Sequence, residues 1–224
     1  MNSNRKSYSW QRVNCSYEKG LYMRIERVES LDKRKCKVFT DEDFAFLLYN
    51  GELEKYGVCE GAVLEKRTER ELLDLLSRRA HERALNLLKV QDRTEGEMCR
   101  RLFQDGYPDS IVQETIGFLQ EYHFVDDARY AANYLQVHGK RKSQAELKLY
   151  LQRKGISREI IREQLEETEH DSGEAIRVLL EKKHYRAGET APEEEKKIIA
   201  YLMRRGFSWE DIRREMKEQE DALG

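Results

Sequence analysis

The sequence predicts a mainly α-helical protein in which three tandem three-helix repeats form an elongated curved array behind a small N-terminal domain that contains a β-hairpin. Apolar residues recur at helical spacing after about residue 67. A similar pattern of leucine, glycine and bulky apolar residue occurs three times, and its glycines, Gly106, Gly155 and Gly206, are 49 and 51 residues apart. A near-constant period with matching internal positions is typical of a repeat protein. Only two prolines occur among 224 residues, which also favours helices.

The N-terminal domain, residues 1–66, is predicted to be β-rich. Residues 21–29 alternate between apolar and polar, which predicts a half-buried strand. Residues 36–40 are its expected hairpin partner, and residues 44–49 form a third apolar run that is either a strand or a short helix. The open face of this sheet is expected to be covered by Leu53, Tyr56 and Val58.

The three repeats are predicted to span residues 67–123, 124–170 and 171–224. Each has a leucine four residues before its glycine, a large apolar residue directly after it, and further apolar residues six and ten positions on. The anchor positions are Leu102, Gly106 and Tyr107, then Leu151, Gly155 and Ile156, then Leu202, Gly206 and Phe207. The later apolar positions are Val112 and Ile116, Ile161 and Leu165, and Ile212 and Met216.

Capping residues mark where the helices of the repeats begin. Thr68 has capping-box spacing for a long first helix, and Asp126 with Asp127 can cap the first helix of the middle repeat. Ser143, with a glutamate three residues later, has capping-box spacing for the next helix, which follows a basic loop. Ser157 can cap the third helix, and the third repeat is expected to start near residue 171.

Composition limits the protein's location and its electrostatics. The 41 lysine and arginine residues nearly balance 43 aspartate and glutamate residues, so the net charge is −2 and any basic surface must be local. The four cysteines are scattered without CxxC spacing, the first residues are polar, and no apolar run approaches the roughly eighteen residues that a bilayer crossing needs. We therefore expect a cytoplasmic protein with reduced thiols and no membrane contact.

Motifs with known catalytic mechanics are absent from the sequence. It has no GxxxxGK[ST] phosphate loop, no GxGxxG after a strand, no HExxH and no Cys/His cluster at metal-ligand spacing. Asp126 and Asp127 are adjacent carboxylates, but at a helix start they are better interpreted as a cap that complements the helix dipole. Cys99, beside Met98 and Leu102, is expected to be a core thiol. We predict no catalytic residue, no metal site, no cofactor and no small-molecule substrate.

Basic residues recur around the second helix of each repeat. The candidate contact residues are Arg100, Arg101, Lys140, Arg141, Lys142, Lys148, Arg153, Lys154, Arg204 and Arg205. Stacked repeats align equivalent positions, so these side chains are predicted to form a continuous basic ribbon that suits a filament groove or a nucleic-acid backbone. Basic residues near helix C-termini also oppose the macrodipole favourably, so solvated capping charge is the alternative interpretation.

The middle repeat contains the most distinctive segments, FVDDARYAANYL at residues 124–135 and ELKLYLQRKGIS at residues 146–157. They combine an acidic pair, an aromatic–alanine step and a leucine–lysine–glycine ending, and they resemble the hallmark of the RecX family, the bacterial regulators of the RecA recombinase. The resemblance covers roughly residues 20–220. The residues that carry it are Asp126, Asp127, Tyr130, Ala131, Leu151, Lys154, Gly155 and Ile156.

The resemblance implies regulation rather than catalysis. RecX proteins lodge in the groove of RecA–single-stranded-DNA filaments and block filament growth, and so reduce the ATPase, strand-exchange and coprotease activities of RecA. For this chain it implies a RecA filament as partner, single-stranded DNA contacted directly or through RecA, and a monomeric state. Two other interpretations remain open: a helical repeat protein that binds nucleic acid independently of RecA, and a helical scaffold that binds an unrelated protein.

Overall fold

A computed structural model describes residues 23–41, 45–168 and 171–222. The chain divides into two compact units, Met1–Leu72 and Leu73–Gly224. The described part contains the predicted combination of a small antiparallel sheet and tandem three-helix repeats, so the predicted fold class is confirmed. No helix in these described ranges is long and apolar enough to cross a membrane.

The first unit contains a four-stranded antiparallel sheet with the order β3-β2-β1-β4. The predicted hairpin is present, and the third apolar run is a strand followed by a helix, α1. Leu21 and Phe44, at the predicted starts of the first and third strands, lie outside the described residues. The short fourth strand was not predicted, because two residues carry no readable alternation. The elements are β1 (Met23–Ser30), β2 (Lys35–Thr40), β3 (Ala45–Tyr49), α1 (Asn50–Tyr56) and β4 (Val63–Leu64).

A β-bulge explains the uneven spacing of apolar residues in β1. The pairing of β1 with β2 shifts between Ile25 and Arg27, so that Ile25 opposes Thr40 while Val28 opposes Val38. The extra residue of a bulge resets the two-residue alternation, which brings Ile25 and Val28 to one face. That face is the buried one, because Thr40 and Val38 are both buried. The other face of β2 is only partly buried.

The second unit is helical, and three helices belong to each repeat. The first repeat contains α2 (Lys66–Leu88), which begins in the first unit, with α3 (Glu95–Gln104) and α4 (Asp109–Glu121). The second contains α5 (Asp127–His138), α6 (Gln144–Lys154) and α7 (Arg158–Glu167), and the third contains α8 (Ser172–Lys182), α9 (Pro192–Arg204) and α10 (Trp209–Asp221). The exact limits of the repeats as folding domains stay a prediction.

One predicted helix start was wrong, and one predicted loop is present. The helix α2 begins at Lys66, two residues before Thr68, so Thr68 lies within the helix and is not its N-cap. The predicted basic loop does separate α5 from α6, and it contains a 3-10 turn, Gly139–Arg141. Short polar segments leave helix starts and tight turns hard to distinguish, because capping residues are also common inside the first turn.

Each repeat has its own apolar core, and the repeated pattern marks the same turn in all three. Leu102, Leu151 and Leu202 are completely buried. Four residues after each leucine comes a glycine with positive φ; the φ angles of Gly106, Gly155 and Gly206 are 85°, 97° and 87°. The N–H of the residue after each glycine donates to the leucine carbonyl at 3.2, 3.2 and 3.3 Å, which closes the helix in a Schellman-type turn. The predicted apolar positions that follow are buried as well.

Candidate interaction surface of the three-helix repeats

The first and second repeats are joined where the start of α3 meets the end of α6. Thr94 is the N-cap of α3, and its hydroxyl accepts the N–H of Glu97 at 3.2 Å. The same hydroxyl donates to the carbonyl oxygen of Lys154 at 2.6 Å. Glu97 completes the contact, because its Oε1 lies 2.7 Å from Nζ of Lys154. We call this arrangement of N-cap hydroxyl, glutamate and C-terminal cation a clasp.

The second and third repeats are joined by an equivalent clasp between α6 and α9. Ser143 caps α6, and its hydroxyl donates to the carbonyl oxygen of Arg205. Glu146 accepts two hydrogen bonds from the Arg205 guanidinium, both at 2.9 Å. Ser143 and Glu146 each lie 49 residues after their counterparts in the first clasp. The two joints therefore use one set of contacts at one repeat position.

Both clasps bring two backbones close together. A Cβ placed on Gly96 would lie 2.9 Å from the Cα of Gly155, which is closer than packing allows. At the second joint a Cβ on Gly206 would lie 2.7 Å from the Cβ of Ala145. Glycine is thus favoured at Gly155 and Gly206 for two reasons: the backbone has a positive φ, and the neighbouring repeat leaves no room for a side chain.

The outer ends of the array lack the clasp residues. In the first repeat Asp105 takes the position of the clasp cation, and its carboxylate pairs with Arg83 at 2.7 Å and with Arg101 at 3.5 Å. In the third repeat the N-cap of α9 is Ala191, which has no side-chain hydrogen bond to the helix. Terminal repeats commonly differ from inner ones because one of their faces has no neighbour.

The adjacent carboxylates Asp126 and Asp127 serve two different helices. Asp126 caps α5 by accepting the N–H of Arg129 at 2.9 Å, which confirms that it is a cap. Asp127 accepts the N–H of Glu95 at 2.9 Å, so it caps α3 of the first repeat. Burial raises the pKa of the Asp127 carboxyl above its ordinary value, and the Asp126 charge adds to the rise. This acidic pair therefore contributes a further contact between repeats.

A cluster of tyrosines and lysines lies within the middle repeat. The rings of Tyr134 and Tyr150 stack with centroids 4.0 Å apart, and Lys142 donates to the Tyr134 hydroxyl at 2.5 Å. Lys154 lies 5.5 Å above the Tyr150 ring, between the clasp and this cluster. Burial raises the pKa of Tyr130 to about 12, and its contact with the Tyr150 hydroxyl adds to the effect. Tyr130 therefore stays neutral, and it packs with Tyr150 against the core of this repeat.

The structure separates the ten predicted basic contact residues into two groups. Lys154 and Arg205 belong to the clasps, and Arg100 also contacts the first clasp by donating to the Lys154 carbonyl at 3.3 Å. Partners within the protein are also found for Arg101, Lys140, Lys142 and Lys148, which contact Asp105, Glu174, Tyr134 and Gln144. Within the described ranges Arg141, Arg153 and Arg204 are exposed and make no side-chain hydrogen bond or ion pair.

Electrostatics keeps the clasp cations charged. Burial alone would lower the pKa of Lys154, but the hydrogen bond and the charge of Glu97 outweigh it and raise the pKa to about 12. The hydrogen bonds that Arg205 donates to the Glu146 carboxylate likewise raise the pKa of Arg205. These two cations hold repeats together, so the exposed arginines are the better candidates for contact with a partner.

The second helices also expose apolar side chains that the sequence analysis did not select. Phe103 on α3 is 39% exposed, Leu149 on α6 is 49% exposed and Met203 on α9 is 50% exposed. Phe103 and Met203 each lie three residues before their glycine, and Leu149 lies six before its own. Residues three apart share a helix face, so all three occupy the same stripe of the second helix. A large apolar residue on this stripe, within six residues before each glycine, was the signal available in the sequence.

The described residues offer no cluster suited to holding a metal ion, and Cys99 is a buried thiol. Across residues 23–41, 45–168 and 171–222, no group of three or more His, Cys, Asp or Glu residues stands ready to hold a metal ion. Burial raises the pKa of the Cys99 thiol to about 11, and this side chain is 5% exposed, so the predicted core thiol is confirmed. A buried thiol with a raised pKa is a poor nucleophile.

Family models and individual relatives match this chain over its repeats and beyond. Models for the first, second and third three-helix domains of RecX match residues 80–119, 126–165 and 171–216. Regulatory protein RecX of Clostridium tetani is 31% identical over 207 residues, which cover 91% of this chain and 86% of that protein. Regulatory protein RecX of Clostridium acetobutylicum is 27% identical, with 87% and 95% covered.

Solved structures share the fold. A crystal structure of regulatory protein RecX superposes with a TM-score of 0.58 at 21% identity and covers 87% of this chain and 99% of that one. The structure of RecX from Lactobacillus salivarius gives 0.57 at 22% identity, with 65% and 97% covered.

Proposed function

The chain belongs to the RecX family, and from this premise we propose that it is a non-enzymatic regulator of a RecA recombinase. It binds along the groove of the RecA–single-stranded-DNA filament and restrains filament growth. The ATPase, strand-exchange and coprotease activities of the filament fall together, because each of them needs the assembled filament. The protein acts in the cytoplasm as a monomer.

The observation that carries this proposal is the repetition of one kind of surface on three second helices, whose glycines are 49 and 51 residues apart. Two equivalent clasps hold three equivalent second helices, and each helix exposes one large apolar side chain on the same stripe. An exposed arginine lies within the same turn of α6 and of α9, at Arg153 and Arg204. A helical filament repeats its own subunits, so several modest contacts can bind at once and gain by avidity.

The individual contacts have the character of a protein interface. Leu149 and Arg153 are four residues apart on α6 and therefore share a face. Arginine is enriched among residues that dominate binding energy, and neighbouring apolar contacts support it by excluding water, whereas exposed charge alone contributes little. The exposed stripe of the second helices is therefore the proposed contact with RecA, and the cations of the clasps act indirectly by holding its spacing.

The test is inhibition of the ATPase that RecA shows on single-stranded DNA, measured against rising concentrations of this protein. The variant Leu149→Ala/Arg153→Glu should need at least ten times more protein for half-inhibition, because truncating a binding hot spot costs about 2 kcal/mol or more. The control Val137→Ala/Arg162→Glu makes comparable changes, a truncated aliphatic side chain and a reversed charge, at exposed positions on α5 and α7 and should inhibit like the unmodified protein. Equal inhibition by both variants would refute the proposed surface.

Two further arms complete the experiment. Inhibition must occur well below the concentration of DNA-binding sites, because inhibition only at saturation would indicate simple sequestration of DNA. The predicted basic segment is best tested by Arg141→Glu alone. Lys140 pairs with Glu174 and Lys142 contacts Tyr134, so reversing all three charges would also disturb the fold.

A further inference from the structure

The solvent face of the N-terminal sheet alternates cations and aromatic rings. Lys35, Lys37 and Phe39 occupy alternate positions of β2 and are only partly buried, whereas the residues between them are buried. Arg27 of β1 is the cross-strand neighbour of Phe39, and Tyr49 of β3 is the cross-strand neighbour of Lys35. The three strands thus bring three cations and two rings to one face.

The cations lie directly against the rings. The Arg27 guanidinium is 4.2 Å from the centroid of Phe39, and Nζ of Lys37 is 4.8 Å from the same centroid. Nζ of Lys35 is 5.5 Å from the Tyr49 centroid, and Tyr49 is 43% exposed. Exposed cation–π pairs contribute only about 0.5–1 kcal/mol each, so fold stability alone is a weak reason for this surface.

The order of these groups along the sheet is regular. Tyr49 with Lys35 stands at one end of β2, Phe39 with Arg27 stands at the other, and Lys37 lies between them. Four residues of strand separate Lys35 from Phe39, which is about 13 Å. The carboxylates nearby are already engaged: Glu29 pairs with Arg27 at 3.1 Å, and Asp32 accepts the N–H groups of the turn between β1 and β2.

We propose that this face, formed by Arg27, Lys35, Lys37, Phe39 and Tyr49, is a binding site for single-stranded nucleic acid. Unpaired bases stack on the two rings and on the Arg27 guanidinium plane, and the lysines between them neutralise the phosphates. A duplex is not expected to bind in this way because its bases already stack on each other. The site lies outside the three repeats and does not rest on the proposed contact with RecA.

The experiment measures binding of a fluorescent oligo(dT) strand to the full chain by anisotropy, without RecA. Phe39→Ala and Tyr49→Ala should each weaken binding at least about five-fold, because one base–ring stack is lost. Tyr122→Ala, which removes an exposed ring on the C-terminal side of α4, is the matched control and should leave binding unchanged. Phe39→Trp should restore the affinity, which separates stacking from any loss of folding.

Charge and stacking are tested separately. Lys35→Gln/Lys37→Gln should make the slope of log affinity against log salt less negative by about 1.4, because two phosphate contacts are lost. The control Lys196→Gln/Lys197→Gln changes two exposed lysines of α9 and should keep the slope. An abasic strand of equal length should bind at least about five-fold more weakly than oligo(dT), because it has nothing to stack.

Three results would overturn the inference: no measurable binding by the unmodified protein, equal binding of oligo(dT) and the abasic strand, or full affinity in the sheet variants. The inference would also fail if polyglutamate displaced the fluorescent strand as well as unlabelled oligo(dT) does. The site would then recognise an acidic peptide by charge alone. Inhibition of RecA is scored in parallel on the same variants. Loss of DNA binding with inhibition retained would support this site and leave the proposed function standing.

Discussion

Gly96 shows how one residue can have opposite effects in a helix and at a joint. It lies in the first turn of α3, where glycine is unfavourable compared with alanine by about 1 kcal/mol. Its missing Cβ lets the backbone of Gly155 approach, and an added methyl group would lie 3.1 Å from the Lys154 carbonyl oxygen as well. Both obstructing groups are main-chain atoms, which cannot rotate away. The contact between repeats therefore outweighs helix propensity at this position.

Gly96→Ala is expected to destabilise the protein by about 1–3 kcal/mol, in the range typical of overpacking. Gly117→Ala is the matched control, because Gly117 also lies within a helix, α4, and a methyl group added there would meet nothing within 4 Å. That change should stabilise the protein by up to about 1 kcal/mol. Urea unfolding of the two variants measures both effects, and stabilisation by Gly96→Ala would contradict the proposed close approach.

The sequence predicts these residues unequally. Gly155 and Gly206 were predicted as anchors of the repeat because a leucine four positions earlier and an apolar residue after them define a local pattern. Gly96 has no such pattern, since its role depends on a backbone 59 residues away along the chain. Residue-level signals report local conformation, and contacts between distant segments leave little trace in one sequence.

At the scale of elements, a serine at a helix N-cap can hydrogen-bond to one helix or to two. Ser157 caps α7 by accepting the N–H of Ile160 at 3.2 Å and is exposed. Ser143 caps α6 in the same way at 3.1 Å, but it also donates to the Arg205 carbonyl and is buried. The capping box at Ser143 was predicted from residue spacing. The second hydrogen bond of the Ser143 hydroxyl could not be predicted in this way, because it joins residues 62 positions apart.

The two caps allow one substitution to be compared in two settings. Ser157→Ala should cost about 1 kcal/mol, the usual value of an N-cap. Ser143→Ala should cost about 2–4 kcal/mol, because it also leaves the partly buried carbonyl of Arg205 without this donor. The free energy of unfolding of each variant gives the comparison directly. Equal losses would show that the cross-repeat bond adds nothing to stability.

The predicted basic ribbon illustrates the limit of element-level reasoning. Lys154 and Arg205 precede their glycines by one residue, so the repeat pattern places them at equivalent positions. Their function at the joints could not be predicted, because a helix-terminal cation has the same local appearance whether it faces solvent or a neighbouring glutamate. In the first repeat Asp105 stands at this position, and Arg100 and Arg101 lie one turn earlier on α3.

At the scale of the whole repeat array, two equivalent joints differ in one chemical respect. The first uses Lys154 with Glu97, and the second uses Arg205 with Glu146. An arginine stays charged at any pH at which the protein folds, whereas a lysine does not. Because repeat proteins are stabilised through the interfaces between neighbouring units, loss of charge at one joint should weaken the array at a defined place.

Alkaline unfolding can identify the lysine joint. The pKa of Lys154 is raised from 10.5 to about 12 in the folded protein, so its stabilisation is complete below pH 10.5 and is lost as the pH rises through about 12. The resulting loss in the free energy of unfolding should be on the order of 1–2 kcal/mol. Lys154→Arg should remove this part of the pH dependence, because the replacement keeps its charge. The reciprocal variant Arg205→Lys should add a similar loss at the second joint.

The comparison depends on differences between variants rather than on any single curve, since tyrosines such as Tyr130 titrate in the same range. The urea midpoint of each protein is followed between about pH 9 and 12, the range in which a lysine loses its proton. As the pH rises, the urea midpoint of the unmodified protein should become lower than that of Lys154→Arg and stay higher than that of Arg205→Lys. Parallel curves for all three proteins would mean that the clasp cations do not stabilise the array through charge. Separation of the curves in the expected order would mean that two glutamate–cation contacts help to hold the repeats together. The spacing of the exposed stripe on the second helices would then depend on these contacts.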